Sequence, residues 1–137
     1  MIKARSGEYW VIRFQDGENL LEGLKGLGLK SAAILGAVGM LRDLAFGYWD
    51  GERYVEEPVP EPVELLSLSG NIGEADGEVV VHAHVVAGMR DGNAIGGHLL
   101  RATVHNTTEM VLLQLPRVRL ARKPDPSGLL GLYPEER

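Results

Sequence analysis

Residues 79–115 read VVVHAHVVAGMRDGNAIGGHLLRATVHNTTEMVLLQL and hold all four histidines of the 137-residue chain. His82 and His84 stand two apart in an apolar, β-branched run, and side chains two apart on a strand share a face. Both imidazoles therefore look the same way. His98 follows fourteen positions after His84, beyond Asp91-Gly92 and Gly96-Gly97, which is loop enough to bring a second strand back beside the first. The pattern His-x-His-x13-His can offer three neutral nitrogens to one divalent ion, with a fourth position left for water or a ligand. The competing reading is three ordinary histidines whose ring nitrogens are satisfied by hydrogen bonds, because short motifs recur by chance. His105 would face opposite to His98 on an unbroken strand, which makes it a surface or interface residue.

Working outward, Asp76-Gly77 turns a strand at 63–72 into the histidine strand at 78–87, which predicts a hairpin. One face of the second strand shows Val80, His82, His84 and Val86, the other Val79, Val81, Ala83 and Val85, so both faces read as partly covered. Pro58, Pro60 and Pro62 limit 56–61 to an extended connection or edge. Before it, 44–49 and 53–57 flank the hairpin signal Asp50-Gly51, and 31–40 is a small-residue strand interrupted by Gly36 and Gly39. Residues 18–27 place Leu20, Leu21, Leu24 and Leu27 on one helical face with Asp16 as the expected cap, and 9–14 reads as a strand. Downstream, 107–115 is a final strand stopped by Pro116. Arg117, Arg119, Arg122 and Lys123 then form a basic cluster, read as a solvated edge, before Pro124, Pro126 and Gly128 loosen the chain.

These signals predict one α+β domain over 1–137: a mixed, mainly antiparallel twisted sheet with one or two covering helices. Its core spans about 9–115, and 116–137 is a basic C-terminal segment containing proline and glycine. There are no cysteines, so thiolate metal sites, cysteine nucleophiles and disulfides are excluded together, which fits a reducing cytoplasm. A formal charge of −5 argues against a sequence-blind grip on nucleic acid. No apolar run reaches transmembrane length and the N-terminus lacks an apolar signal core, so the expected location is cytoplasmic with no membrane contact.

The runs GGHLLRATVHNTTEMVLLQL, VHAHVV, PVELLSLSGNI and SAAILGAVGMLRDLAFGYWD, in this order from the C-terminal end backwards, resemble the plants-and-prokaryotes conserved (PPC) domain of the prokaryotic stand-alone type. The resemblance covers the chain from about Tyr9 to Leu115. It implies an α+β homotrimer with a metal, usually taken as zinc, on His82, His84 and His98. It also implies kinship with plant nuclear proteins in which this domain serves assembly and partner binding while a separate AT-hook touches DNA. Here Arg122-Lys123-Pro124 is the nearest approach to such a hook, so specific DNA binding by the chain alone is expected to be weak or absent. A distant similarity to acetolactate decarboxylase, a three-histidine zinc enzyme, is implied as well.

Two function classes follow. One is a metal-binding, homotrimeric assembly or binding module, DNA-associated or regulatory as in the plant relatives. The other is a zinc-dependent decarboxylase or hydrolase acting on a small oxo- or hydroxy-acid. For the second, Glu109 and Asp91 are the nearby acids in sequence. Glu109 is a catalytic candidate, with a solvated carboxylate as the commoner reading, and Arg90 and Arg101 are candidates to hold a small anionic ligand at the metal. The residues leave open whether the chain is an enzyme.

Overall fold

The computed structural model describes all residues from Met1 to Arg137. Nine strands form one sheet: β1 (Ile2–Ser6), β2 (Tyr9–Gln15), β3 (Ala32–Trp49), β4 (Tyr54–Pro58), β5 (Val63–Ala75), β6 (Glu78–Gly88), β7 (Ala94–Gln114), β8 (Val118–Pro124) and β9 (Leu130–Glu136). The pairing is antiparallel except for one parallel bridge, Glu74 to Ala121. No helix is long and apolar enough to cross a membrane.

Two strands are long enough to serve several neighbours. Along β7, residues 107–113 pair with β2 and residues 94–98 with β6, while β3 runs beside most of its length. Because β3 also pairs with β5, and β5 with β6, the strands β3, β5, β6 and β7 close into a ring. Such closure removes free edges and forces strong curvature. Glycine permits that curvature at two points, Gly39 (φ +148°) and Gly70 (φ +152°), where a Cβ would run into the carbonyl oxygens of Thr107 and His82 respectively.

The core lies inside this curl. Alternation on β6 points Val81, Ala83, Val85 and Ala87 inward, with the last three buried, and leaves Val80, His82, His84 and Val86 on the outer face. That face is only half-covered at His82 and is open at His84 and Val86. Ile12, Phe14, Leu41, Leu68, Ile72, Met110 and Leu112 fill the same interior.

Helical coverage is smaller than expected. A single helix, α1 (Leu20–Lys25), replaces the predicted 18–27 span, and its cap is Asn19, not Asp16: the Asn19 side chain accepts from the Glu22 N–H at 3.0 Å. Asp16 instead accepts from Arg42 Nη1 at 2.7 Å and from the Asn106 N–H at 2.8 Å, which fixes the loop before the helix. Six residues cannot sustain a helix alone, so burial of Leu20 and Leu24 against the sheet holds it.

The C-terminal segment also differs from its reading as a loosened edge. Residues 118–136 form the β8–β9 hairpin, turned at Asp125, whose carboxylate accepts from the Ser127 N–H at 2.8 Å. Two of its cations are paired: Arg119 contacts Glu74 at 2.5 Å and Glu135 at 3.2 Å, and Lys123 contacts Glu135 at 3.1 Å. The nearly buried Glu74 carboxyl is held below the usual carboxylate range, chiefly by the Arg119 hydrogen bond, and so ties β8 to the end of β5. Gly96 and Gly97, expected in a loop, lie inside β7; the turn that reverses the chain occupies 89–93.

Candidate metal centre

The β6–β7 pairing sets His84 directly across from His98, and two-residue periodicity adds His82 on the same face. The ring centroids of the three imidazoles stand 5.1, 5.4 and 5.5 Å apart. One nitrogen from each lies within 4.8 Å of the others, and no carboxylate belongs to the cluster. The Nε2 atoms of His82 and His84 are 3.3 Å apart. Nitrogens sharing a tetrahedral ion at bonds of about 2.0–2.1 Å stand about 3.3 Å apart, so this pair already has a ligand spacing.

The third imidazole provides the decisive test of fit. His98 Nδ1 is buried and has no hydrogen-bond partner. A buried nitrogen without a partner costs on the order of 1–3 kcal/mol, and ordinary core histidines avoid it. The His98 ring is stacked on Tyr54 at a centroid distance of 4.2 Å and 13° between planes, and Trp49 packs edge-on against Tyr54. This aromatic backing locks the ring orientation.

Electrostatics favour the neutral, ligating form. Burial, followed by the neighbouring His82 and His84, lowers the His98 pKa to about 4. Burial also lowers that of His82, with the nearby Arg122 guanidinium and His84 adding to the shift. Neutral imidazole is the species that binds a metal, so the trio matches a divalent transition ion in donor type, and burial holds His82 and His98 in the ligating form.

Other sequence candidates fall elsewhere. Glu109 is exposed on β7 opposite Arg13 and Val38, eleven residues along the strand from His98, in a groove with Val11, Leu35, Val38 and Val111. Asp91 is occupied within its turn, accepting from the Asn93 N–H at 2.9 Å. Arg101 pairs with Glu56, and Arg90 borders a separate pocket with Glu61 and Glu64. His105 sits half-buried with Nδ1 3.0 Å from Arg42 Nη1 and takes no part in the cluster.

Three neighbours of the histidines escaped the sequence reading. Tyr54 is brought in by the β3–β4 hairpin, and Asn71 by its register opposite His82. Arg122, from β8, places Nη2 at 2.6 Å from Asn71 Oδ1 and 3.3 Å from His82 Nδ1. Only Tyr54 carried a signal, since an aromatic immediately after the Asp50-Gly51 turn of a predicted hairpin points to a packed ring.

The Plants and Prokaryotes Conserved (PCC) domain signature matches residues 1–116. The chain belongs to that family. Among solved members of the Plants and Prokaryotes Conserved family, the Pyrococcus horikoshii PPC protein is 33% identical with a TM-score of 0.85, covering 99% of this chain and 95% of its own. A metal-containing protein from Archaeoglobus fulgidus is 32% identical with a TM-score of 0.84, covering 97% and 99%. A Bacteroides thetaiotaomicron protein described as a proposed DNA-binding protein has a TM-score of 0.89 at 23% identity, covering 96% of each chain, which shows the shared fold. Two curated relatives, each called Bifunctional protein GlmU, from Synechococcus sp. strains JA-2-3B'a(2-13) and JA-3-3Ab, are each 32% identical over 90% and 93% of this chain. The chain spans about a fifth of their length, 20% in both cases.

Proposed function

We propose that this chain is a metal-binding, homotrimeric assembly module of the Plants and Prokaryotes Conserved family, with zinc held by His82, His84 and His98. The observation that carries the reading is the convergence of three imidazoles, with one nitrogen from each within 4.8 Å of the others, in a cluster where His98 Nδ1 is buried and has no partner. The metal-containing A. fulgidus relative supports it. Zinc is named for its preference for tetrahedral nitrogen sites. Self-association is supported by the outer face of β2, β3 and β7, where Val11, Leu35 and Val38 are 55%, 51% and 54% exposed around one open apolar groove.

The test is elemental analysis of untagged protein beside light scattering. The expected result is one metal per chain, a mass three times the 14.9 kDa of the chain, and loss of the metal on His98→Ala. Metal-free wild-type protein after growth with zinc would overturn the metal assignment, and a monomeric mass would overturn the trimer.

DNA association rests on the B. thetaiotaomicron fold relative and on the implied kinship with plant proteins, and the surface charge does not reinforce it. Arg119 and Lys123 of the basic cluster are neutralised by Glu74 and Glu135, and the chain carries a net −5. We expect duplex binding weaker than about 1 µM at 150 mM salt, within the range of non-specific contacts. Fluorescence anisotropy with a labelled duplex checks this; nanomolar, salt-sensitive binding would reverse it.

The enzymatic reading has less to draw on. Three nitrogen ligands leave a position for water, as zinc hydrolysis requires. The pocket beside His82 and His98 is lined by no carboxylate that could act as a general base.

A further inference from the structure

A cavity of about 250 Å³ opens beside the histidines, lined by Tyr54, Val80, His82, His98, Arg122 and Leu130 among others. Its volume lies below the roughly 300–1,000 Å³ of drug-sized clefts, so it suits a small metabolite. Arg122, Leu129 and Leu130 come from the β8–β9 hairpin, beyond residue 116 where the family match ends. The outer wall of this pocket therefore lies outside the matched family region, in a part of the chain that the P. horikoshii structure also covers.

We propose that this pocket binds a small carboxylate with a short apolar tail, held by the Arg122 guanidinium beside the metal; the proposal rests on the metal-centre reading above. Three observations carry it. Arg122 is half-buried and forms no ion pair, and its Nε is buried without a hydrogen-bond partner. A guanidinium stays charged under all ordinary conditions, and a buried one is ordinarily matched by an anion. None is supplied by the chain, because no Asp or Glu lines the cavity.

The second observation concerns proton positions. The Nε2 atoms of His82 and His84 face one another, so Nε2 is the nitrogen His82 turns towards a shared ion. A ring that ligates through Nε2 carries its proton on Nδ1, and Nδ1 lies 3.3 Å from Arg122 Nη2. A guanidinium has donors and no acceptor, so metal loading sets two donors against each other. A carboxylate oxygen accepts from both and removes the conflict.

The third observation is the character of the remaining wall. Val80, Val81, Leu129 and Leu130 are apolar, so the part of the ligand away from Arg122 is hydrocarbon.

The experiment is calorimetric titration of 3-methylbutanoate into the full chain, metal-loaded and metal-free, with metal content measured on every sample. The uncharged 3-methylbutanamide serves as the shape control. The expected result is saturable binding of the acid by the loaded chain, at least tenfold weaker for the amide and at least tenfold weaker in Arg122→Met. Leu130→Trp, at an exposed position that leaves the core intact, should fill the cavity and give the same loss with an unchanged circular dichroism spectrum. A flat titration at full metal content, or equal affinity in Arg122→Met, overturns the carboxylate pocket and leaves the metal centre standing. A chain that takes up no metal overturns the metal centre by itself, and the pocket is then judged by the same two criteria on the metal-free titration.

Discussion

Gly70→Ala is expected to lower the stability of the protein by about 3–4 kcal/mol, at the upper end of single substitutions. Gly70 has φ +152°, a conformation that costs a side-chain-bearing residue on the order of 1–3 kcal/mol. The larger penalty is steric. A methyl group there collides with the carbonyl oxygen of His82 and comes within 2.8 Å of the Ala83 Cα, and backbone cannot swing aside as a flexible side chain can. Since Gly70 pairs with Ala83 on β6, relief requires β5 and β6 to separate at the point where His82 and His84 are presented. The midpoint of thermal unfolding should therefore fall by about 10 °C or more, and metal uptake should weaken in parallel. Circular dichroism melting beside metal analysis checks both. A variant that melts within two or three degrees of the wild type would show that the ring of strands is looser than this packing implies.

Zinc should raise the melting temperature by at least as much as that substitution lowers it. A ligand that binds only the folded chain stabilises it by about 4.1 kcal/mol at 1,000 times its dissociation constant, roughly 10–15 °C for a domain of this size. The increment, measured against each variant's own metal-free melting temperature, should vanish in His98→Ala, which removes one imidazole of the cluster. Its pH dependence follows from the lowered pKa values of His82 and His98. In the unfolded chain these rings take up protons below about pH 6.5, while the folded chain resists. Their neutral burial thus supports the metal-free fold fully above pH 6.5, and that support drains away as the pH falls towards the His98 value of about 4. Proton competition at these two ligands is correspondingly weak at pH 6, where the zinc increment should persist. Scanning calorimetry between pH 4 and 8, with and without zinc, reads both effects; an increment already lost at pH 6 would contradict the burial of these rings.

The grouping of the three histidines on one face was legible because strand geometry is periodic and local. His-x-His in a β-branched run has one meaning for side-chain direction wherever the strand lies, and the Asp76-Gly77 and Asp50-Gly51 turns sit where the structure bends the chain. The helix was over-read because leucine spacing at 18–27 reports only which face is apolar. Its length was limited by the Asn19 cap and by Gly26. The C-terminal hairpin was missed because Pro124, Pro126 and Gly128 look like breakers; two of them instead frame the turn between paired strands, which the Arg119–Glu74 ion pair ties to the end of β5. Glu109 looked close to the histidines in sequence, yet a strand of 21 residues carries its two ends far apart.

Residue types, two-residue alternation and turn chemistry thus suffice for a mainly antiparallel fold and for three histidines able to share a face. They act over a few bonds, and the chain carries them before it folds. The closure of β3, β5, β6 and β7, the stacking of Tyr54 on His98, and the arrival of Arg122 from a hairpin forty residues beyond His82 depend on contacts between distant segments. Those contacts are selected by the packing of the whole core, and no local pattern encodes them.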